Sequence, residues 1–278
     1  MSDALVSVVT ALGDDQLVLG HRHSEWTGFA PHIEEDVAFS SIAQDEIGHA
    51  AAYYSMVASV TGDDPDRLAL GRDKDEYRHA VICERPNGDW AYTLARHWLY
   101  DHADDIRLES LEDSSHEDLS RLVKKVRREE RYHLLHAGTW LERVAQGPVE
   151  GRSKIVAAMG KAFPEAWTLF EPFEREEEAV KEGILPIPSP ELGTRFLRRV
   201  TEVLDDLGIP THEMRAMADE SAEFIASSSG DLIAGEGKTG ESSAAIPFGG
   251  RAGKHTDDFD RLWDDMTHTY RENPGATW

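Results

Sequence analysis

Two short stretches of this 278-residue chain hold residues that could do chemistry together: Gln44-Asp45-Glu46-Ile47-Gly48-His49 and Glu129-Glu130-Arg131-Tyr132-His133. Each contains Glu-x-x-His, and residues three apart point the same way on a helix. The stripe through the first pair reads Phe39, Ile42, Glu46, His49, Tyr53, Val57; the second reads Leu119, Leu122, Val126, Glu130, His133, Ala137, Trp140. An ionisable pair therefore sits in the middle of each apolar face, where burial is costly unless the groups are paired or hold an ion. A third Glu-x-x-His, Glu76 to His79, lies in a charged stretch with no apolar stripe and reads as a chance match.

The elements that position these residues form an internal repeat: an acid-bearing helix, a turn, then a Glu-x-x-His helix. In an antiparallel helix pair, residues equidistant from the turn lie side by side. Asp101 and Glu130 average to 115.5, inside the Ser114-Ser115-His116 turn, and Asp15 and Glu46 average to 30.5, at Ala30-Pro31. Asp15 lies on the stripe Leu5, Val8, Leu12, Asp15, Leu19, and Asp101 on Leu94, Trp98, Asp101, Leu108. Glu25 is the rival to Asp15, but its midpoint with Glu46 falls inside the next helix. Two Glu-x-x-His helices with one carboxylate from each of two more describe the di-iron carboxylate site of a ferritin-like four-helix bundle. Four buried carboxylates without metal would repel and protonate. Two ferrous ions balance them, neutral imidazoles complete the shell, and manganese is the alternative metal. The expected ligand set is Asp15, Glu46, His49, Asp101, Glu130 and His133; the competing reading is a metal-free polar core.

In chain order, helices are expected over 3–26, from Pro31 to about 61, from about Trp90 to Glu112, and from a Ser114/Glu117 capping box to about Ala145. Residues 150–182 read as helical, interrupted by Pro164 and Pro172, with Glu174 to Glu178 as a solvated face. A further helix starts at Ser189-Pro190-Glu191 and ends near Gly208, and Thr256 caps a last one, Asp257 to about Arg271. Residues 227–253 are rich in Gly and Ser and read as a long loop. No strand pattern emerges, so the class is all-α, one domain over 1–278, with a bundle core at about 3–146 and C-terminal helices over 150–278.

The formal net charge of −24, from 53 acidic and 29 basic residues, argues against nucleic acid and anionic membrane surfaces as partners. Cys83 is the only cysteine, which excludes a disulfide framework. No uncharged apolar run approaches the ~18 residues that span a bilayer, and the N-terminus lacks a basic leader, so a cytoplasmic protein is expected. The basic cluster Arg121, Lys124, Lys125, Arg127, Arg128 falls off the core stripe and reads as a solvated face; an acidic or phosphate-bearing partner is the alternative. Tyr53, one turn after His49, reads as a core tyrosine.

With these residues in hand, the chain resembles the PaaC-type subunit of the bacterial and archaeal phenylacetyl-CoA epoxidase system (phenylacetate-CoA oxygenase). The similarity runs over essentially the full length. It includes Leu12-Gly13-Asp14-Asp15, His23-Ser24-Glu25-Trp26, Arg85-Pro86-Asn87-Gly88-Asp89-Trp90, Arg131-Tyr132-His133, Gly249-Gly250-Arg251 with His255-Thr256, and Pro274-Gly275-Ala276-Thr277-Trp278. The chain departs from that subunit type at its centre. Asp45-Glu46-Ile47-Gly48-His49 is similar to the PaaA-type catalytic subunit, where the PaaC type has an apolar residue and Gln for Glu46 and His49.

The resemblance implies a ferritin-like fold and a component of a di-iron monooxygenase that epoxidises the ring of an aromatic acyl-CoA. Glu46 and Glu130 are the expected bridges and the residues expected to carry catalysis. It also implies an oligomer with a PaaA-type subunit and other epoxidase components. Electrons are expected from a separate NADPH-dependent reductase, since the chain has neither a nucleotide motif nor cysteines for a cluster. Two alternatives stand beside it: a non-catalytic structural subunit serving a PaaA-type partner, and a ferritin-like iron oxidase or storage protein.

Overall fold

The computed structural model describes residues 2–217 and 248–276. Four long helices carry the core: α1 (Asp3–Ser24), α2 (Ile33–Thr61), α5 (Trp90–Leu111) and α6 (Glu117–Ala145). Between the pairs lie the short helices α3 (Pro65–Leu70) and α4 (Val81–Glu84). After α6 come α7 (Val149–Ala166), α8 (Glu176–Lys181), α9 (Ser189–Asp206) and a C-terminal helix, Asp257–Glu272. No strand occurs among the described residues. The architecture is the all-α, ferritin-like bundle expected, with further helices packed outside it.

Local chemistry sets the boundaries. The Ser2 side chain accepts the Leu5 N–H and Asp89 accepts the Tyr92 N–H (2.9 Å), satisfying donors that open α1 and α5. Gly62, at φ 79°, ends α2 in the left-handed conformation that favours glycine. The Ser114/Glu117 capping box does not form. His116 takes the N-cap position and its Nδ1 accepts Leu119 N–H, while Ser114 Oγ bonds the Ile184 carbonyl. Pro164 sits in the last turn of α7 without breaking it, and the chain leaves the α-helix through a 3-10 turn at Trp167–Phe170.

α1 pairs along α2, and α5 with α6, while α2 meets α6 across the bundle and α7 and α9 cover the outer side of α5. Trp98, Phe163, Phe170 and Phe196 lie fully buried in that outer layer. Full burial of such a side chain contributes roughly 1.5–3 kcal/mol. α1 is enclosed on nearly all sides: Asp14, Asp15 and Gln16 are as buried as Leu12 and Leu19.

The C-terminal segment folds back onto the core. Gly250 allows the approach, since a Cβ there would stand 2.3 Å from the His79 carbonyl oxygen. Arg251 then reaches Asp15, His255 Nδ1 contacts Glu84 (2.9 Å), and the Thr256 N–H and hydroxyl both donate to Glu84. Thr256 thus stands at the N-cap position of the last helix but spends its hydroxyl on Glu84. His79, which the sequence placed in a chance motif, is fully buried in this clasp, bonded to Glu84 (2.8 Å) and stacked on His255 at 4.0 Å. Glu176, expected on a solvated face, is buried and accepts from Phe173 N, Ser189 N and Ser189 Oγ. Residues 227–247 of the expected Gly/Ser-rich loop lie outside the described residues.

Candidate metal centre

Five of the six expected ligands converge where α2, α5 and α6 meet. Glu46, His49, Asp101, Glu130 and His133 are each at most 4% exposed. Asp101, Glu130 and His133 offer ligand atoms all within 4.8 Å of one another. Both histidines turn Nδ1 to Glu130: His49 stands 3.2 Å from Oε1 and His133 2.8 Å from Oε2. Neither approach has hydrogen-bond geometry, and both Nδ1 atoms, Glu46 Oε1 and both Asp101 oxygens are buried without a hydrogen-bond partner among the described residues. Buried polar atoms are nearly always satisfied, so a cluster left unpaired around one point is a donor set that fits a cation.

The outer nitrogens are braced in a crossed arrangement. His49 Nε2, on α2, contacts Glu129 of α6 at 2.8 Å, and His133 Nε2, on α6, contacts Asp45 of α2 at 3.4 Å. Each bracing acid immediately precedes the Glu of its own Glu-x-x-His. A carboxylate on the outer nitrogen fixes the tautomer that leaves Nδ1 as a lone pair, the usual support of a metal-bound imidazole. A lone pair facing an anionic Glu130 is repulsive unless a proton or a metal ion stands between them.

The electrostatics agree. Burial pushes Glu46 well above the ordinary carboxylate range. Burial acts the same way on Glu130, but His133 and His49 outweigh it and hold that carboxyl well below the usual range. Burial opposes charge on His133, yet Glu130 and Asp45 push it up to about 12. A carboxylate set between the imidazoles of His49 and His133 is where a multivalent cation would displace protons.

Asp15 is elsewhere. Its carboxylate is fully buried between Arg107 (2.6 Å) and Arg251 (2.9 and 2.8 Å) and also accepts the Ala80 N–H (2.8 Å). The rival Glu25 is exposed on the rim, bonded to Arg22 and Asn87. The height argument misplaced α1 because residues after Ser24 keep winding: Trp26, Thr27 and Ala30 donate back to His23, Ser24 and Trp26. The turn therefore lies further along the chain, and Glu46 faces Gly20 and His23.

The structure adds residues to the centre that the motif search did not select. His23 Nδ1 lies 2.9 Å from Glu46 Oε2. His97 Nδ1 lies 3.3 Å from Asp101 Oδ2, with neither ring nitrogen hydrogen-bonded among the described residues. Gln16 Nε2 donates to Asp104 (3.1 Å) and Glu130 (3.4 Å), and Arg107 joins Asp104 to Asp15. Burial raises the Asp104 carboxyl to about 6. Phe39 packs against His23, His97 and His136, walling the centre on one side. The signals were present for Asp45 and Glu129, by adjacency, and for His23, at the i+4 step from Leu19. Tyr53 is buried beside the centre, and the basic cluster lies on the surface of α6, where Arg127 pairs with Asp105, Glu109 and Glu112.

A second group, His79, Glu84 and His255, also has metal-like spacing. There, however, both Glu84 oxygens already accept protein donors, so the carboxylate is satisfied within the clasp, with His79 Nδ1 left unpaired among the described residues.

A ferritin-like helical bundle with a carboxylate–histidine group at its centre is the class these features define. Within it, a family model described as phenylacetic acid catabolic protein, shared by PaaA- and PaaC-type chains, matches residues 1–225, and the chain belongs to that family. It is similar to the C component of the 1,2-phenylacetyl-CoA epoxidase of Escherichia coli (strain K12), with 29% identity over 275 residues that cover 99% of each chain. Among the described residues, no helix is long and apolar enough to cross a membrane.

Proposed function

We propose that this chain is the PaaC-type component of a multisubunit phenylacetyl-CoA epoxidase of aerobic phenylacetate degradation, and that it carries a metal centre of its own. The observation that supports the centre is the crossed bracing of His49 by Glu129 and His133 by Asp45, with both Nδ1 atoms left unpaired on Glu130. Glu46, His49, Asp101, Glu130 and His133 would hold a pair of irons, with Glu46 and Glu130 as the residues proposed to carry catalysis. Such a centre supplies reductive activation of dioxygen for insertion of one oxygen atom into an aromatic ring. The chain's own residues do the rest. Asp45 and Glu129 fix the imidazole tautomers. Phe39 and the surrounding core exclude water. Asp104 accepts from Gln16 and Arg107, and Gln16 in turn donates to Glu130, which holds that carboxylate in place. Electrons would come from a separate NADPH-dependent reductase, and a PaaA-type subunit would share the aromatic acyl-CoA substrate.

The alternative within this reading is a subunit that keeps the metal for structure and leaves turnover to its PaaA-type partner. Iron content of the purified chain, and NADPH-linked oxygen uptake with and without a PaaA-type partner and reductase, separate the two. About two irons per chain are expected from a centre with two Glu-x-x-His helices. No metal after anaerobic ferrous reconstitution would remove the centre.

A further inference from the structure

We propose that α1 closes this metal centre with an imidazole, His23, rather than with a carboxylate. The proposal rests on the metal-centre reading above. The ligand set becomes Glu46, Asp101 and Glu130 with His23, His49 and His133.

Every acid on α1 that could compete is already committed. Asp14 accepts from Tyr54, Arg72 and the Arg78 N–H. Asp15 is held by Arg107, Arg251 and Ala80 N. Glu25 is outside on the rim. Directly opposite Glu46, α1 carries Gly20, and a Cβ there would come within 3.2 Å of the Glu46 Cβ and 2.9 Å of Ile47 Cγ1. The helices pass too closely for a ligand to fit at that position. The next position on the same face is His23, three residues on. Its ring is fully buried, its Nδ1 is 2.9 Å from Glu46 Oε2, and its Nε2 has no hydrogen-bond partner among the described residues. His23 is therefore the residue of α1 that stands against Glu46 with a free ring nitrogen to offer.

Exchanging a carboxylate for a neutral imidazole removes one negative charge from the site. Three carboxylates against two divalent ions leave the centre with a net positive charge. The set therefore favours divalent over trivalent metal more than a four-carboxylate set does.

The test uses the full-length protein reconstituted anaerobically with ferrous iron, or with cobalt(II) as a spectroscopic probe. Metal content and X-ray absorption, which counts imidazoles from their outer-ring scattering, are read for wild type, His23→Gly, His23→Glu and Glu25→Gln. Circular dichroism confirms the fold of each. His23→Gly should fall from about two metals per chain to about one, and added imidazole should restore the second, because a first ligand has been lost and returned. His23→Glu should keep both metals with fewer imidazoles counted, and Glu25→Gln should match wild type. A purely structural His23 gives the opposite pattern: His23→Gly retains both metals and the wild-type spectrum, while His23→Glu, which sets two carboxylates in contact, loses metal. That pattern overturns the proposal while leaving the metal centre standing. A metal-free wild type overturns the centre, and His23 as its ligand with it.

Discussion

Asp15→Asn decides between the position expected from sequence and the one found in the fold. The substitution keeps shape and removes one charge from between two buried guanidinium groups. Burial alone would raise the Asp15 carboxyl; Arg251 and Arg107 outweigh that and hold it below its ordinary range. After the change Arg107 keeps Asp104 at 2.7 Å, so it remains paired. Arg251 keeps only uncharged oxygens, that of the new amide and backbone carbonyls of which Arg78 O is the closest at 2.7 Å, and is left as an uncompensated buried cation. Breaking a buried pair by removing one partner costs about 3–5 kcal/mol, out of a total of roughly 5–15 kcal/mol for a native protein. At about 2–4 °C per kcal/mol for a chain of this size, the melting temperature should fall by roughly 6–20 °C. Calorimetry measures the fall, and metal analysis of the same folded sample should show wild-type content. A variant that melts with wild type but has lost metal would refute the reasoning and return Asp15 to the centre.

Two further outcomes are expected. Glu129→Gln removes the charge that braces His49 without touching a proposed ligand, so metal affinity should drop about 10- to 100-fold; competition with a chelator measures it, and an unchanged affinity would show that the crossed bracing does not support a metal. Acid should release the C-terminal clasp. Burial, then repulsion from His255, lowers His79 from 6.5 to about 4, and His255 and His79 outweigh burial to hold Glu84 well below its ordinary range. Both groups have depressed values, so both contribute stability that is present above the unfolded-state values and is lost as pH falls. For His79 the window runs from about pH 6.5 down to about 4. Hydrogen exchange over Asp257–Glu272 should quicken across that window, and protection that is flat or rises on acidification contradicts the clasp.

The sequence by itself determined the helical class, the two hairpins, and the meeting of Glu46, His49, Asp101, Glu130 and His133. Those signals are local: the helix period puts Glu and His on one face, apolar neighbours say which face turns inward, and the short α5–α6 turn fixes the height of Asp101 against Glu130. Only the tertiary structure decided what α1 contributes. That helix is covered on nearly all sides, so Asp14, Asp15, Gln16 and His23 are all buried and no apolar stripe can choose among them. The choice came from partners far along the chain: Arg107, from α5, and Arg251, which reaches back across 236 residues to neutralise Asp15. Likewise His79 took its role from His255, and Glu176 from Ser189. Burial makes an isolated charge costly, so the counter-charge that arrives from elsewhere, rather than the helix period, settles which buried acid is paired within the fold and which faces the candidate centre.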